Sequence, residues 1–429
     1  MTGRGTAAAA EPARTRAAGT WPVLLALVAG LAAGVWAASL GDGFREPALK
    51  AAGMIGGLWL NALKMTVIPL IVALLVTGVA KGAEAARGGK VAGRSVVWFV
   101  LICTGSAIFG TLMMMTLTDL FPLPQEAAEA LRVGLAGIDP TTASAPVPTI
   151  ADFFSGIVPS NVVFAASNGD VLPLVVFALL FALAVATLPK AQRETLVGFF
   201  EAIGDALLVI IAWVLRIAPI GVFALAFTLG ASAGGAAFTG VLHYIVLVSV
   251  LGLLVTLVGY PIAILFGGVG AAKFSRLMLE PQTVAISTRS SLASLPAMLT
   301  TARLLDVRER VADITLPMAV ALFRATGPAM NVGVALYVAH WLGYEPSLVQ
   351  LIAATAVASV ISYGAVSLPG EVSFISSIAP IAMALGVPIA PLALLVAVEM
   401  IPDIVRTLGN VTLDVSVTTA VNRSTADPD

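Results

Sequence analysis

The 429-residue chain is 59% hydrophobic and only 11% charged, against roughly 45–50% and 25% for a soluble domain, which places it in a bilayer. A formal net charge of −1 gives no basic surface of the kind nucleic acids require, and a single cysteine, Cys103, excludes an internal disulfide framework. With no metal-binding cluster, and no histidine placed to serve the Ser-rich segment that follows residue 286, the chain does not read as an enzyme.

Residues 1–20 are Ala-rich with scattered arginines and lack the apolar core of a signal peptide; they read as a disordered cytoplasmic tail. Apolar runs able to cross about 30 Å of hydrocarbon follow at Trp21 to Leu40, Leu58 to Val79, Val96 to Leu117, Val171 to Leu188, Leu196 to Phe227 and Val241 to Phe266. The loop 81–95 is basic (Lys81, Arg87, Lys90, Arg94), whereas 118–160 is acidic (Asp119, Glu126, Glu129, Asp139, Asp152). Lys and Arg near span ends stay inside. The first loop is therefore expected in the cytoplasm and the second outside, with both termini cytoplasmic.

From about residue 276 the pattern changes. "AISTRSSLASLPAML" and "VISYGAVSLPGEVSFI" each place a polar, proline-containing tip between apolar arms too short to cross separately, which reads as a pair of re-entrant hairpins. Both tips contain Ser-Leu-Pro, and each is followed by a span with an arginine and, three residues on, a glycine: Arg324 with Gly327, and Arg406 with Gly409. This weak internal repeat fits the inverted-repeat logic of secondary transporters, in which the substrate sits near the bilayer midplane where helices are broken.

Charge sharpens the case. Arg289, Arg324, Glu371, Glu399, Asp403, Arg406 and Asp414 all fall in otherwise apolar segments of the last 150 residues, and each would cost roughly 2.5–3.5 kcal/mol facing lipid. In "VEMIPDIVRTLGNVTLDV" the spacing of Glu399, Asp403, Arg406, Thr407, Asn410 and Asp414 lines most of them along one helix face. That stripe carries a planar fork suited to a carboxylate, an acid able to hold an ammonium and another able to hold a cation. A structural polar seam between helices is the competing reading.

At these residues the chain resembles the dicarboxylate/amino acid:cation symporters, the family of the excitatory amino acid transporters and their archaeal aspartate-transporting homologues. "DIVRTLGNVTLD" is similar to the family's last helix, "STRSSLASLP" and "VSLPG" to its two hairpin tips, and "LKMTVIPLIVALLVTGVA", "IVPSNVVFAASNGDVLPLVVFALL" and "APIGVFAL" to earlier segments. The resemblance runs from about residue 21 to 422. It implies an all-α polytopic membrane protein of the bacterial cytoplasmic membrane, with eight transmembrane helices plus two re-entrant hairpins, inverted repeats and a homotrimeric, elevator-type mechanism. Scaffold and trimerisation helices would lie mainly in 21–117 and 160–228, the transport core in 270–422 and a tail in 423–429. By the same resemblance Arg406 takes a substrate side-chain carboxylate and Asp403 the α-ammonium, while Asn410, Thr407, Ser290, Ser291 and the second tip (Ser367, Gly370) hold the rest. Asp414 and Asn410 would belong to a sodium site. No organic cofactor is implied, only a sodium ion or a proton as coupling ion.

The departures concern that ion. Where the family's seventh span has Asn-Met-Asp-Gly-Thr, an ungapped alignment places Phe323, Arg324, Ala325, Thr326 and Gly327; where its third span supplies Tyr, Thr and Ser, the chain has Phe99, Ile102 and Cys103. Cation sites need several oxygens together, and these substitutions remove them together. Arg324 then reads as a tethered cation in place of a sodium, with Glu371 as its partner or as a titrating acid. Because burial disfavours a charged carboxylate, Glu371 and Glu399 are the candidate proton carriers. The expected function is symport of acidic or polar amino acids or C4-dicarboxylates with altered cation coupling. The alternatives are a sodium-coupled symporter in which Arg324 is structural, and an exchanger, a substrate-gated anion channel or a non-transporting binding protein. His243 and His340 read as interfacial or packing residues.

Overall fold

The computed structural model describes residues 20–40, 42–87, 89–129, 158–233, 236–364 and 370–425. They are nearly all helical. In chain order the helices are α1 (Thr20–Ser39), α2 (Asp42–Ala86), α3 (Lys90–Leu120), α4 (Val162–Asn168), α5 (Val171–Thr187), α6 (Lys190–Arg216), α7 (Ala218–Ala233) and α8 (Ala236–Pro261), the last extended by a π-helical turn over Ile262–Phe266. There follow α9 (Ala271–Thr288), α10 (Ser291–Leu304), α11 (Glu309–Leu322), α12 (Thr326–Leu342), α13 (Leu348–Gly364), α14 (Gly370–Leu385), α15 (Ala390–Leu395) with a 3-10 turn over Val396–Val398, and α16 (Met400–Ser424).

Among the described residues, Pro22–Ser39, Gly43–Ala86, Lys90–Leu120, Lys190–Arg216, Phe238–Phe266 and Glu309–Leu342 are long and apolar enough to cross a membrane. Shorter apolar helices occupy Val171–Thr187, Ala218–Ser232, Leu348–Tyr363 and Phe374–Leu385. Two expected spans differ. The run Leu58 to Val79 is only the middle of α2, which is 45 residues long and carries Pro47 and Pro69 inside it. The run Leu196 to Phe227 is two helices, because α6 ends at Arg216 with the Ile217 amide turned onto Leu215 O. Pro219, at the second position of α7, has no N–H to continue the ladder to that carbonyl.

Lipid tails are as apolar as leucine, so helices in a bilayer associate through close packing and interhelical hydrogen bonds. Both are visible. At the α3–α12 crossing a Cβ on Gly110 would fall on the backbone of Ala329. Since backbone cannot yield as a flexible side chain can, Gly110→Val is expected to cost at least the ~1–3 kcal/mol of an overpacked core, read as a lower melting temperature in detergent; an unchanged melt would show that this crossing does not hold the bundle.

Hydroxyls stitch α3 to its neighbours: Ser95 with Thr315 at 3.0 Å, Thr104 with Ser359 at 3.0 Å and Thr111 with Thr355 at 2.8 Å. A second set of polar contacts ties α2 to α5 and α6, through Trp59 Nε1 donating to Val214 O, Arg87 to Ala186 O, Arg193 to Glu84, and the Lys81–Glu201 ion pair. Between the two sets lies an apolar cavity of about 200 Å³, bordered by Gly78, Gly82 and Ala83 of α2, Leu183 of α5, and Phe99 and Val100 of α3.

α9 and α10 pack on one another, joined through Arg289 and Ser290. Arg289 takes the left-handed conformation at φ 52°, and the Ser290 hydroxyl accepts from Ala293 N to cap α10. α13 and α14 pack in the same way. Of the expected second tip, Ser367 lies outside the described residues; Gly370 opens α14 and Glu371 follows it, its side chain likewise outside them.

Candidate functional site

Two features of the sequence build the site. Thr-Gly-Pro at 326–328 starts a new helix, so the chain between α11 and α12 leaves the helical path at Phe323 and Arg324. α16 meanwhile brings its polar stripe up against that break. Gly409 makes the approach possible, since a Cβ there would strike Thr326 Cγ2. Across the contact, Asn410 Oδ1 accepts from both Thr326 N (3.0 Å) and Thr326 Oγ1 (2.7 Å), capping α12 from another helix, and Thr326 Oγ1 also reaches Arg406 O at 2.9 Å.

The guanidinium of Arg406 is held from two sides. Nη2 donates to Glu399 Oε1 at 2.8 Å and Nη1 to Asn331 Oδ1 at 2.6 Å. Glu399 is in turn bound by Tyr244, whose hydroxyl donates to Oε2 at 3.1 Å. Asp403, one turn before Arg406, pairs with Arg289 of the α9–α10 turn at 3.8 Å. The Thr407 hydroxyl donates to Asp403 O at 2.9 Å, within its own helix. The structure thus brings together Arg406, Asp403, Thr407, Asn410 and Asp414 of α16, Glu399 just before it, Arg324 of the break, and the α9–α10 turn.

Asp414 is the unusual member. It is wholly buried, and neither carboxylate oxygen has a hydrogen-bond partner. The opposite charge whose field it feels is Arg324, which interacts in turn with Asp403, Asp414 and Arg406. On the other side of Arg324 the surroundings are apolar. Phe323 stacks on Phe99 with ring centroids 4.6 Å apart and planes within 11°, and Cys103, Phe323 and Ala325 are buried in the same cluster. Ser106 Oγ donates to Ala325 O at 2.5 Å. At Gly327 there is room, a Cβ meeting nothing nearer than Arg324 Cβ at 3.5 Å.

The sequence model of the sodium:dicarboxylate symporter family matches residues 20–424. The chain belongs to that family. Among its relatives are the proton/glutamate-aspartate symporter of Escherichia coli (strain K12), 27% identical over 399 residues that cover 91% of this chain and 89% of the relative. A C4-dicarboxylate transport protein of Deinococcus deserti is 27% identical over 90% of this chain and 85% of its own. A proton/sodium-glutamate symport protein of Bacillus subtilis (strain 168) is 27% identical over 83% and 82%. The family is one of transporters.

In this sodium:dicarboxylate symporter family member the sequence reading overlooked Asn331, Tyr244 and Thr326. Asn331 was the most accessible of the three: a lone amide in an apolar helix that begins two residues after Arg324. Tyr244 carries no sequence signal of its own. His243 bonds Phe121 O and Tyr337 Oη, and the Tyr337 ring packs edge-on against Tyr244; His340 meets Leu123 N.

Proposed function

We propose that the protein is a secondary active transporter of acidic or polar amino acids or C4-dicarboxylates across the bacterial cytoplasmic membrane, with cation coupling altered from its family's pattern. The observation that carries the altered coupling is Asp414, buried without a hydrogen bond and facing Arg324. A carboxyl group in that state needs a proton or a cation to neutralise it. Arg324 supplies one permanently, tethered to the chain where a sodium ion would otherwise enter and leave with each cycle.

The donor set beside Arg324 fits a bound sodium poorly. Asn410 Oδ1 already accepts two hydrogen bonds from Thr326, and the positions aligned with the family's other oxygen ligands are the stacked rings of Phe99 and Phe323, the aliphatic side chain of Ile102, the Cys103 thiol and the Ala325 methyl group. Asp414 and Asn410 remain the ligands a sodium would use if it entered as a cotransported ion. Glu399 and Glu371 are the acids we assign to proton coupling.

Substrate would be held by Arg406 through a carboxylate and by Asp403 through an ammonium where one is present. Thr407, Asn410, Ser290, Ser291 and the 367–370 tip would close over the remainder. The wider architecture in this reading is eight spans with two re-entrant hairpins and both termini cytoplasmic, assembled as a homotrimer. A transport core around residues 270–422 slides against scaffold helices drawn mainly from 21–117 and 160–228.

Purified protein in liposomes, given radiolabelled aspartate, glutamate and succinate under an imposed sodium gradient, an imposed proton gradient or neither, tests the reading. Accumulation driven by protons and indifferent to sodium is expected. Steep sodium dependence would make Arg324 a structural partner only, and the absence of both uptake and exchange would remove the transporter reading.

A further inference from the structure

Asn331 and Tyr244 have no role in substrate or ion binding as assigned so far, yet with Glu399 and Arg406 they form one continuous hydrogen-bonded chain: Tyr244 Oη to Glu399 Oε2, Arg406 Nη2 to Glu399 Oε1, and Arg406 Nη1 to Asn331 Oδ1. We propose that Glu399 and the substrate carboxylate are alternative partners of Arg406, and that Glu399 takes up a proton each time the substrate displaces it, so that a monoanionic substrate such as aspartate crosses as a charge-neutral unit. The proposal rests on the transporter reading and specifies how its coupling works.

The geometry supplies each part. A guanidinium recognises a carboxylate best through two parallel N–H groups, and here one terminal nitrogen is already given to Glu399. Two carboxylates on one buried guanidinium would leave a net negative charge out of water, which is costly. One of them must leave or be neutralised. Asn331 is an uncharged amide and has no such conflict, so it holds the other end of the fork in place while partners change. Tyr244 suits both states of Glu399, because a hydroxyl donates to a carboxylate and accepts from a carboxylic acid. The transfer is balanced: a proton from the outer solution joins Glu399 Oε1 as Arg406 leaves it, and is released on the inner side when the substrate goes and the ion pair re-forms.

The charge count agrees. Arg289, Arg324 and Arg406 stand with Glu399, Asp403 and Asp414, three of each sign, so the described constellation is neutral without a bound ion. A monoanionic substrate unbalances it by one charge and one proton restores it. The groups that face Glu399 are few. They are Tyr244 of α8, with Tyr337 of α12 and the His243 ring bonded to it behind, and Arg406 and Asp403 of α16. Arg324 acts on Arg406 from the break. Of the other helices packed on the 3-10 turn before Glu399, α1 and α15 carry no titratable residue and α14 carries only Glu371.

The test uses full-length protein in liposomes with a pH-sensitive dye inside. External aspartate is expected to acidify the lumen by about one proton per aspartate, with uptake indifferent to an imposed membrane potential. In Glu399→Gln the empty site gains a positive charge, so the proton movement disappears and an inside-positive potential now speeds aspartate entry. A Glu399→Gln protein that still carries a proton with each aspartate, or a wild type that generates current, overturns the proposal. Wild type that neither accumulates nor exchanges aspartate or succinate defeats the transporter reading instead.

Should Glu399→Gln fail to assemble, Tyr244→Phe serves. It removes a charge-assisted bond to the carboxylate, which favours the acid form. The uptake-against-pH profile is then expected to move to higher pH by about one unit, a tenfold change in proton concentration. A profile superimposed on that of the wild type counts against the proposal.

Discussion

Replacing Arg324 by methionine is expected to destabilise the protein by about 3–5 kcal/mol, the range for breaking a buried charge pair, and to lower sodium-free uptake. The reason lies with Asp414. Its two oxygens have no hydrogen bond, so the guanidinium opposite is what makes its charge tolerable. Without it the carboxylate must capture a proton or an ion from solution. Added sodium should then recover part of the uptake, a dependence not expected of the wild type. Because misfolding could mimic the loss, the companion variant is Arg324→Met with Asp414→Asn. Removing both charges should return most of the melting temperature, and the double-mutant cycle should show a coupling of about 1–3 kcal/mol. Additive effects, or a single variant that takes up aspartate normally without sodium, would sink the pairing.

For Arg406→Lys the expected result is a rise of about 30- to 1,000-fold in the apparent Michaelis constant for aspartate and succinate, equivalent to the ~2–4 kcal/mol lost when a buried charge pair loses its geometry. Lysine keeps the charge but not the planar fork. An ammonium can follow Glu399 or Asn331 or the substrate, but it cannot present parallel N–H groups to a carboxylate while Asn331 steadies it from the side. Thermal stability should fall less than affinity, since Glu399 would still be paired. Apparent affinities within threefold of the wild type would show that substrate carboxylates are read elsewhere.

Much of this was legible in the residues. The membrane class follows from composition, charges that lipid would not accept single out the residues that α16 and the helix break bring together, and the loss of ion-binding oxygens proposed above is read from Phe99, Ile102, Cys103, Phe323 and Ala325. The structure adds that Phe99 and Phe323, 224 positions apart in the chain, stack on one another.

What the residues did not disclose depends on the register between helices. Asn331 stands out as a lone amide in an apolar helix, but only the angle and height of α12 against α16 decide that its oxygen meets Arg406 rather than solvent or lipid. Tyr244 reaches Glu399 across 155 positions. Pattern also misjudged lengths: hydropathy finds the apolar middle of α2, whereas its 45 residues include polar turns at both ends.

The cavity between α2, α5 and α3 separates two internally stitched groups of helices. Its α2 border is Gly78, Val79, Gly82 and Ala83, and all but the valine have no rotamer to reset. Shear of packed helices normally asks interdigitated side chains to climb over one another. Along α2 the wall is mostly glycine and alanine, so the larger side chains opposite, Phe99, Val100 and Leu183, have little on that helix to interlock with.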